Sequence, residues 1–177
     1  MVSLHDVYTL IDRLGELGCP VERQAPECLP TRAEIERASV DLGVGFPAEF
    51  YEYHQSVGTL FIVPPPSVRP KDISDLEWDL EGLLVYGFEG GDDDRPDLCG
   101  VAMEINSYFK PHMKLVPFLD RPWASIEGAA PMSCIAEDGS IVSFLRDSSE
   151  IVPIGETYVE HFVTKLRELE QLATGGS

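Results

Sequence analysis

Basic residues are scarce in this chain. Thirteen Lys and Arg stand against 31 Asp and Glu in 177 residues, a formal charge of -18. Naked nucleic acid is therefore a poor partner, because phosphate binding needs clustered Lys and Arg to displace counterions. An anionic membrane surface is poor for the same reason. Long apolar runs are missing too, none approaching the ~20 residues of a membrane helix. The start, Met1 to Asp6, has no basic region leading into an apolar core, so it does not read as a secretory signal. The expectation is a cytoplasmic protein. Cysteine is sparse: Cys19, Cys28, Cys99 and Cys134 lie far apart with no C-x-x-C pair. That argues for free thiols rather than metal ligands or a disulfide frame, with Cys99 and Cys134 buried in apolar, strand-like stretches.

Catalytic signatures are absent as well. His5, His54, His112 and His161 show no H-E-x-x-H or other ligand spacing. There is no G-x-S-x-G elbow and no G-x-x-x-x-G-K-[ST] loop. Gly87-Phe88-Glu89-Gly90-Gly91 is glycine-rich, but the aspartates behind it would repel a phosphate. Asp92, Asp93 and Asp94 lack the calcium-loop pattern, and three adjacent carboxylates cannot all turn inward without other ligands. Glu104 lies in an apolar stretch where alternation puts it on a solvent face. No cofactor, metal or catalytic residue is assigned, and the chain reads as a non-enzyme.

At 44% hydrophobic the chain still has enough apolar material for one packed domain. Leu4, Val7, Ile11 and Leu14 recur at the helical period, predicting a helix from Leu4 to Leu17 that Gly18 and Pro20 stop. Val21 to Pro30 reads as a connector. Thr31-Arg32-Ala33-Glu34 is a capping box opening a helix that buries Ile35, Ala38 and Leu42 and ends at Gly43. Pro47 suits the first position of a short helix packing Phe50, Tyr53 and Val57, with Tyr51 and His54 at its border. Leu60 to Val63, closed by three prolines, reads as an edge strand or an extended segment.

Beyond Pro70 the pattern becomes strand-like. Strands are predicted at Leu83 to Phe88, Cys99 to Ile105, Met113 to Phe118, Met132 to Ala136 and Ile141 to Leu145. Asp138-Gly139 between the last two is the hairpin signal of a type I′ turn, in a loop whose length the residues leave open. Thr157-Tyr158-Val159-Glu160 opens a closing helix with Val159, Phe162, Leu166 and Leu169 on one stripe. Helices, then a mainly antiparallel multistranded sheet, then a helix make an α+β order. Residues 1–172 read as one domain with 1–30 a helical extension at its start, and 173–177 as a disordered tail.

The charge is densest between Asp72 and Asp97. There Glu77, Trp78 and Asp79 form one acidic, aromatic cluster, and Tyr86, Glu89, Asp92, Asp93, Asp94 and Asp97 a second. An aromatic ring supplies buried area while carboxylates steer a cationic partner, so these nine are the candidate protein-binding residues. Trp123, in a turn-like segment after Arg121-Pro122, is a further exposed-aromatic candidate.

Thr31 to Ala38, followed by Leu42-Gly43-Val44-Gly45-Phe46-Pro47-Ala48-Glu49-Phe50-Tyr51-Glu52-Tyr53, resembles the opening of the SMI1/KNR4 family, also called the SUKH superfamily. Its members show an acidic helix, a Leu-Gly pair, then Leu-Pro and a short aromatic-bearing helix. The likeness runs more loosely to Leu169, and Ser56-Val57-Gly58 departs from the family's usual Asn-Gly or Gly-Gly. The resemblance implies an SMI1/KNR4-like α+β fold and a binding role, since many bacterial members are similar to immunity proteins that neutralise toxins, often nucleases. The expected partner is a basic protein, such as a cognate toxin domain. The alternative is a regulatory or scaffolding protein with a non-toxin partner; a hydrolase or metal-dependent enzyme ranks third.

Overall fold

The architecture is that of a computed structural model, which describes residues 2–69, 74, 82–88, 97–120 and 131–175. Among the described residues it is α+β, with five α-helices and one seven-stranded antiparallel sheet. Helix α1 (Leu4–Glu16) leads into strand β1 (Val21–Arg23), then α2 (Arg32–Leu42), α3 (Ala48–Ser56), β2 (Leu60–Ile62) and β3 (Leu83–Val85). Helix α4 (Leu98–Glu104), prolonged by a π turn at Ile105–Phe109, precedes β4 (Leu115–Asp120), β5 (Met132–Ala136), β6 (Ile141–Leu145) and β7 (Glu150–Pro153), and α5 (Tyr158–Ala173) closes the chain. The strands lie side by side in chain order, so every sheet neighbour is also a sequence neighbour.

The helix ends follow their local chemistry. Thr31 and Thr157 each exchange hydrogen bonds with the glutamate three residues on, satisfying donors that a helix start leaves unpaired. At the start of α1, Asp6 accepts from both the N–H and the hydroxyl of Ser3, and the Asp6 N–H donates to the Ser3 carbonyl. Gly43 ends α2 in the left-handed conformation, as expected. Pro47 caps α3 from outside instead of occupying its first turn.

Four expectations about the sheet and its turns are corrected. Cys99 to Ile105 is helix, not strand: Asp97 caps it by accepting from the Gly100 N–H at 2.8 Å, and Leu98, Ala102 and Ile105 are buried at helical spacing. A short apolar run carries both periods, and the cap decides between them. Leu60–Ile62 is not an edge, because Val21–Arg23 pairs outside it as β1. The predicted connector therefore contains a strand, too short and too polar for its pattern to show. Finally, the Asp138-Gly139 turn is not type I′, which needs positive φ at both residues. Only Gly139 has it (φ 82), and Asp138 instead binds the N–H and hydroxyl of Ser140 within a loop spanning 137–140.

Every residue of β4 and β5 is buried, so the sheet's middle is covered on both faces. On one face α5 presents Tyr158 and His161 to Phe118. On the other, Phe109 of the π turn meets Phe144 edge-on, and Asn106 exchanges hydrogen bonds with both backbone groups of Leu115. Helix α1 packs along α5 through Leu4, Val7, Ile11 and Leu14, each contributing about 1.5–3 kcal/mol of apolar burial. The first thirty residues thus supply both a core helix and a sheet strand. Ala173, read from the sequence as tail, is the buried last residue of α5.

Candidate functional site

Of the nine candidate residues, Glu77, Trp78, Asp79, Glu89, Asp92, Asp93 and Asp94 lie outside the described residues, as does Trp123. Tyr86 corrects the expectation of an exposed aromatic: it is 4% exposed. Its hydroxyl donates to Asp120 Oδ2 at 2.9 Å, and Arg146 binds the same oxygen. Burial, and then the Asp120 charge, pushes the phenol's pKa well up, so it stays a neutral donor. Asp97 is half-buried and spends one oxygen on the α4 cap.

Two residues on from Asp97, Cys99 lines a concavity among the described residues. A groove of about 530 Å³ runs between the segment from Glu27 to Thr31, one face of α2, and α4. From α2 it takes Glu34, Arg37, Ala38, Asp41 and Leu42, spaced to share one face; from α4 it takes Cys99 and Met103, one turn apart. Phe88 completes the lining. The lining is apolar at Leu29, Ala38, Leu42, Phe88 and Met103, while three carboxylates, Glu27, Glu34 and Asp41, face a single guanidinium, Arg37. Leu42, expected in the core, is only partly buried because it faces this space.

Backbone chemistry fixes the groove's walls. Gln24 folds inward, accepts from the Thr59 N–H at 2.9 Å and donates to the Cys28 carbonyl at 2.6 Å, tying one wall to the sheet. The Leu98 N–H donates to the Gly87 carbonyl at 2.7 Å, anchoring α4 just beyond β3. Gly87 has to be glycine: a Cβ there would lie 2.8 Å from the Thr59 nitrogen and collide with its hydroxyl.

The groove's field registers on its own thiol. Cys99 has its pKa raised by burial first, then by Asp97 and Asp41. Cys28 and Cys99 are the half-buried cysteines, and both line the groove; Cys19 and Cys134 are buried, and all four are free. Cys99 is therefore less buried than its apolar run suggested.

Behind the groove sits His54, fully buried with neither ring nitrogen hydrogen-bonded. Rings of Phe50, Tyr53 and Phe88 enclose it, and desolvation pushes its pKa down to about 3. The helical pattern alone places His54 at the border of α3, whereas packing against Phe50 and Phe88 buries it.

A second polar cluster joins α5 to the sheet. His161 Nδ1 lies 2.9 Å from Glu156 and Nε2 lies 2.8 Å from the Ser133 hydroxyl. A carboxylate only accepts, so Nδ1 carries the proton and Nε2 accepts from Ser133. Thr164 donates to the other Glu156 oxygen at 3.1 Å. Burial outweighs Glu156 and lowers the His161 pKa, keeping the ring neutral. The order of hydroxyl, imidazole and carboxylate matches acyl-transfer enzymes. Here, however, Ser133 is 5% exposed on the sheet face that α5 covers, so a helix stands where a substrate carbonyl would have to sit. The arrangement works as a buried tether. Residues 28 apart and on different element types gave no sequence sign of meeting.

Among the described residues no group of three or more His, Cys, Asp or Glu is placed to hold a metal ion, and no helix is long and apolar enough to cross a membrane. No family model matches the chain, and no curated protein does.

Proposed function

We propose that this chain is an acidic protein-binding module, specifically an SMI1/KNR4-like immunity protein that holds and neutralises a basic toxin domain, of which a nuclease is the leading type. The observation that carries the reading is the groove between α2 and α4, lined by Glu27, Glu34 and Asp41, with Asp97 acting on its lining thiol Cys99. A nucleic-acid-cleaving domain presents a cationic cleft, and a surface of opposite sign meets such a cleft quickly. The charge of -18 gives that steering its range, and the helix caps and sheet give it a stiff body. Neither nucleic acid nor membrane is a target in this reading, and no cofactor is required.

The test is capture on the immobilised protein at low salt, followed by elution at rising salt. A basic protein should be retained and released by salt, and adding this chain should abolish its toxicity or its nuclease activity. Changing Asp92, Asp93 and Asp94 together to Asn should slow association chiefly, as added salt does. A captured partner that is acidic, or one whose association ignores salt, rejects the reading.

A further inference from the structure

Resting on that reading, the geometry points to the α2–α4 groove as a docking site for a basic segment of the partner, which seats an apolar side chain between Leu42, Phe88 and Met103 while its flanking Lys or Arg residues meet Glu27 and Asp41. Charge alone would be served by a flat acidic face. This groove instead combines carboxylates with an apolar lining, and Met103 stands 60% exposed at its rim. An exposed methionine beside partly buried Leu42 and Phe88 is adaptable apolar surface that no other described residue covers. Three carboxylates around such surface favour a cationic chain with a hydrophobic anchor over an acidic or neutral one.

The groove carries its own reporters. An occupant that fills it covers Cys28 and Cys99, whereas the buried Cys19 and Cys134 serve as internal controls. Two capped nine-residue peptides of equal charge are the probes, both bracketed by Lys and Arg, one with leucines at its centre and one with serines. The leucine peptide should bind the full chain about tenfold or more tightly than the serine peptide, as expected for one buried apolar side chain. It alone should slow iodoacetamide labelling of Cys28 and Cys99. Met103→Lys should weaken its binding about tenfold, while Val40→Lys, equal in charge and on α2 outside the groove, should weaken it far less.

Equal affinity for the two peptides with unchanged cysteine labelling overturns the groove and leaves the acidic-module reading standing. Equal weakening by Met103→Lys and Val40→Lys overturns the groove in the same way. Binding of neither peptide overturns both.

Discussion

Phe88 stands edge-on to His54, their ring centroids 5.3 Å apart and their planes at 89°. One ring thus lines the groove and helps seal a neutral imidazole behind it. Neither imidazole nitrogen has a hydrogen bond, so the ring is held by aromatic packing alone.

Acid sensitivity follows from that burial. The folded-state pKa of His54 is near 3 and the unfolded value is 6.5, so the unfolded chain binds the proton more readily. Stability is complete above about pH 6.5 and falls as pH drops from there toward 3, by roughly 1 kcal/mol per pH unit. His161, also lowered, acts in the same direction. His54→Leu should flatten this acid limb in urea titrations between pH 4 and 7. An unchanged slope would show that His54 does not hold its proton affinity so low.

Removing the Ser133 hydroxyl should cost about 1–3 kcal/mol, because His161 Nε2 would be left buried without a donor. Glu156→Gln keeps an oxygen for Nδ1–H and should cost less than Glu156→Ala. Urea midpoints at pH 7 measure both. If Ser133→Ala proves neutral, the tether is not holding α5.

Gly87→Ala should lower stability by about 2 kcal/mol or more, since backbone as well as side chain of Thr59 blocks the new methyl. Gly45→Ala, with open space around it, is the matched control and should change little. Thermal unfolding of the two variants separates close backbone approach from a general cost of replacing glycine.

Thr157→Ala should destabilise by about 1 kcal/mol through loss of the α5 cap. Thr157→Ser, which keeps the hydroxyl, should restore most of it.

Neutralising Asp41 and Asp97 should lower the Cys99 thiol pKa. Asp41 and Asp97 both raise it, and Asn serves as well as Asp at the Asp97 cap. The pH profile of Cys99 alkylation in Asp41→Asn/Asp97→Asn should therefore move to lower pH. Burial is the larger cause, so the thiol should still titrate above an exposed one.

What the residue order determined unaided was local. The boxes at Thr31 and Thr157, the stop at Gly43, the stripe of α1 and the strands either side of Asp138-Gly139 each depend on neighbours within a few positions. Such contacts form wherever those residues stand, so their spacing displays them. Tertiary packing decided the rest. It turned Val21–Arg23 into an edge strand by offering β2 as a template, and it buried Tyr86 over Asp120. It brought Ser133 to His161, and set the α2 face against Cys99 and Met103 to make a groove. Those juxtapositions arise from long-range pairing, whose free energy depends on what arrives from elsewhere in the chain and leaves no period in the sequence.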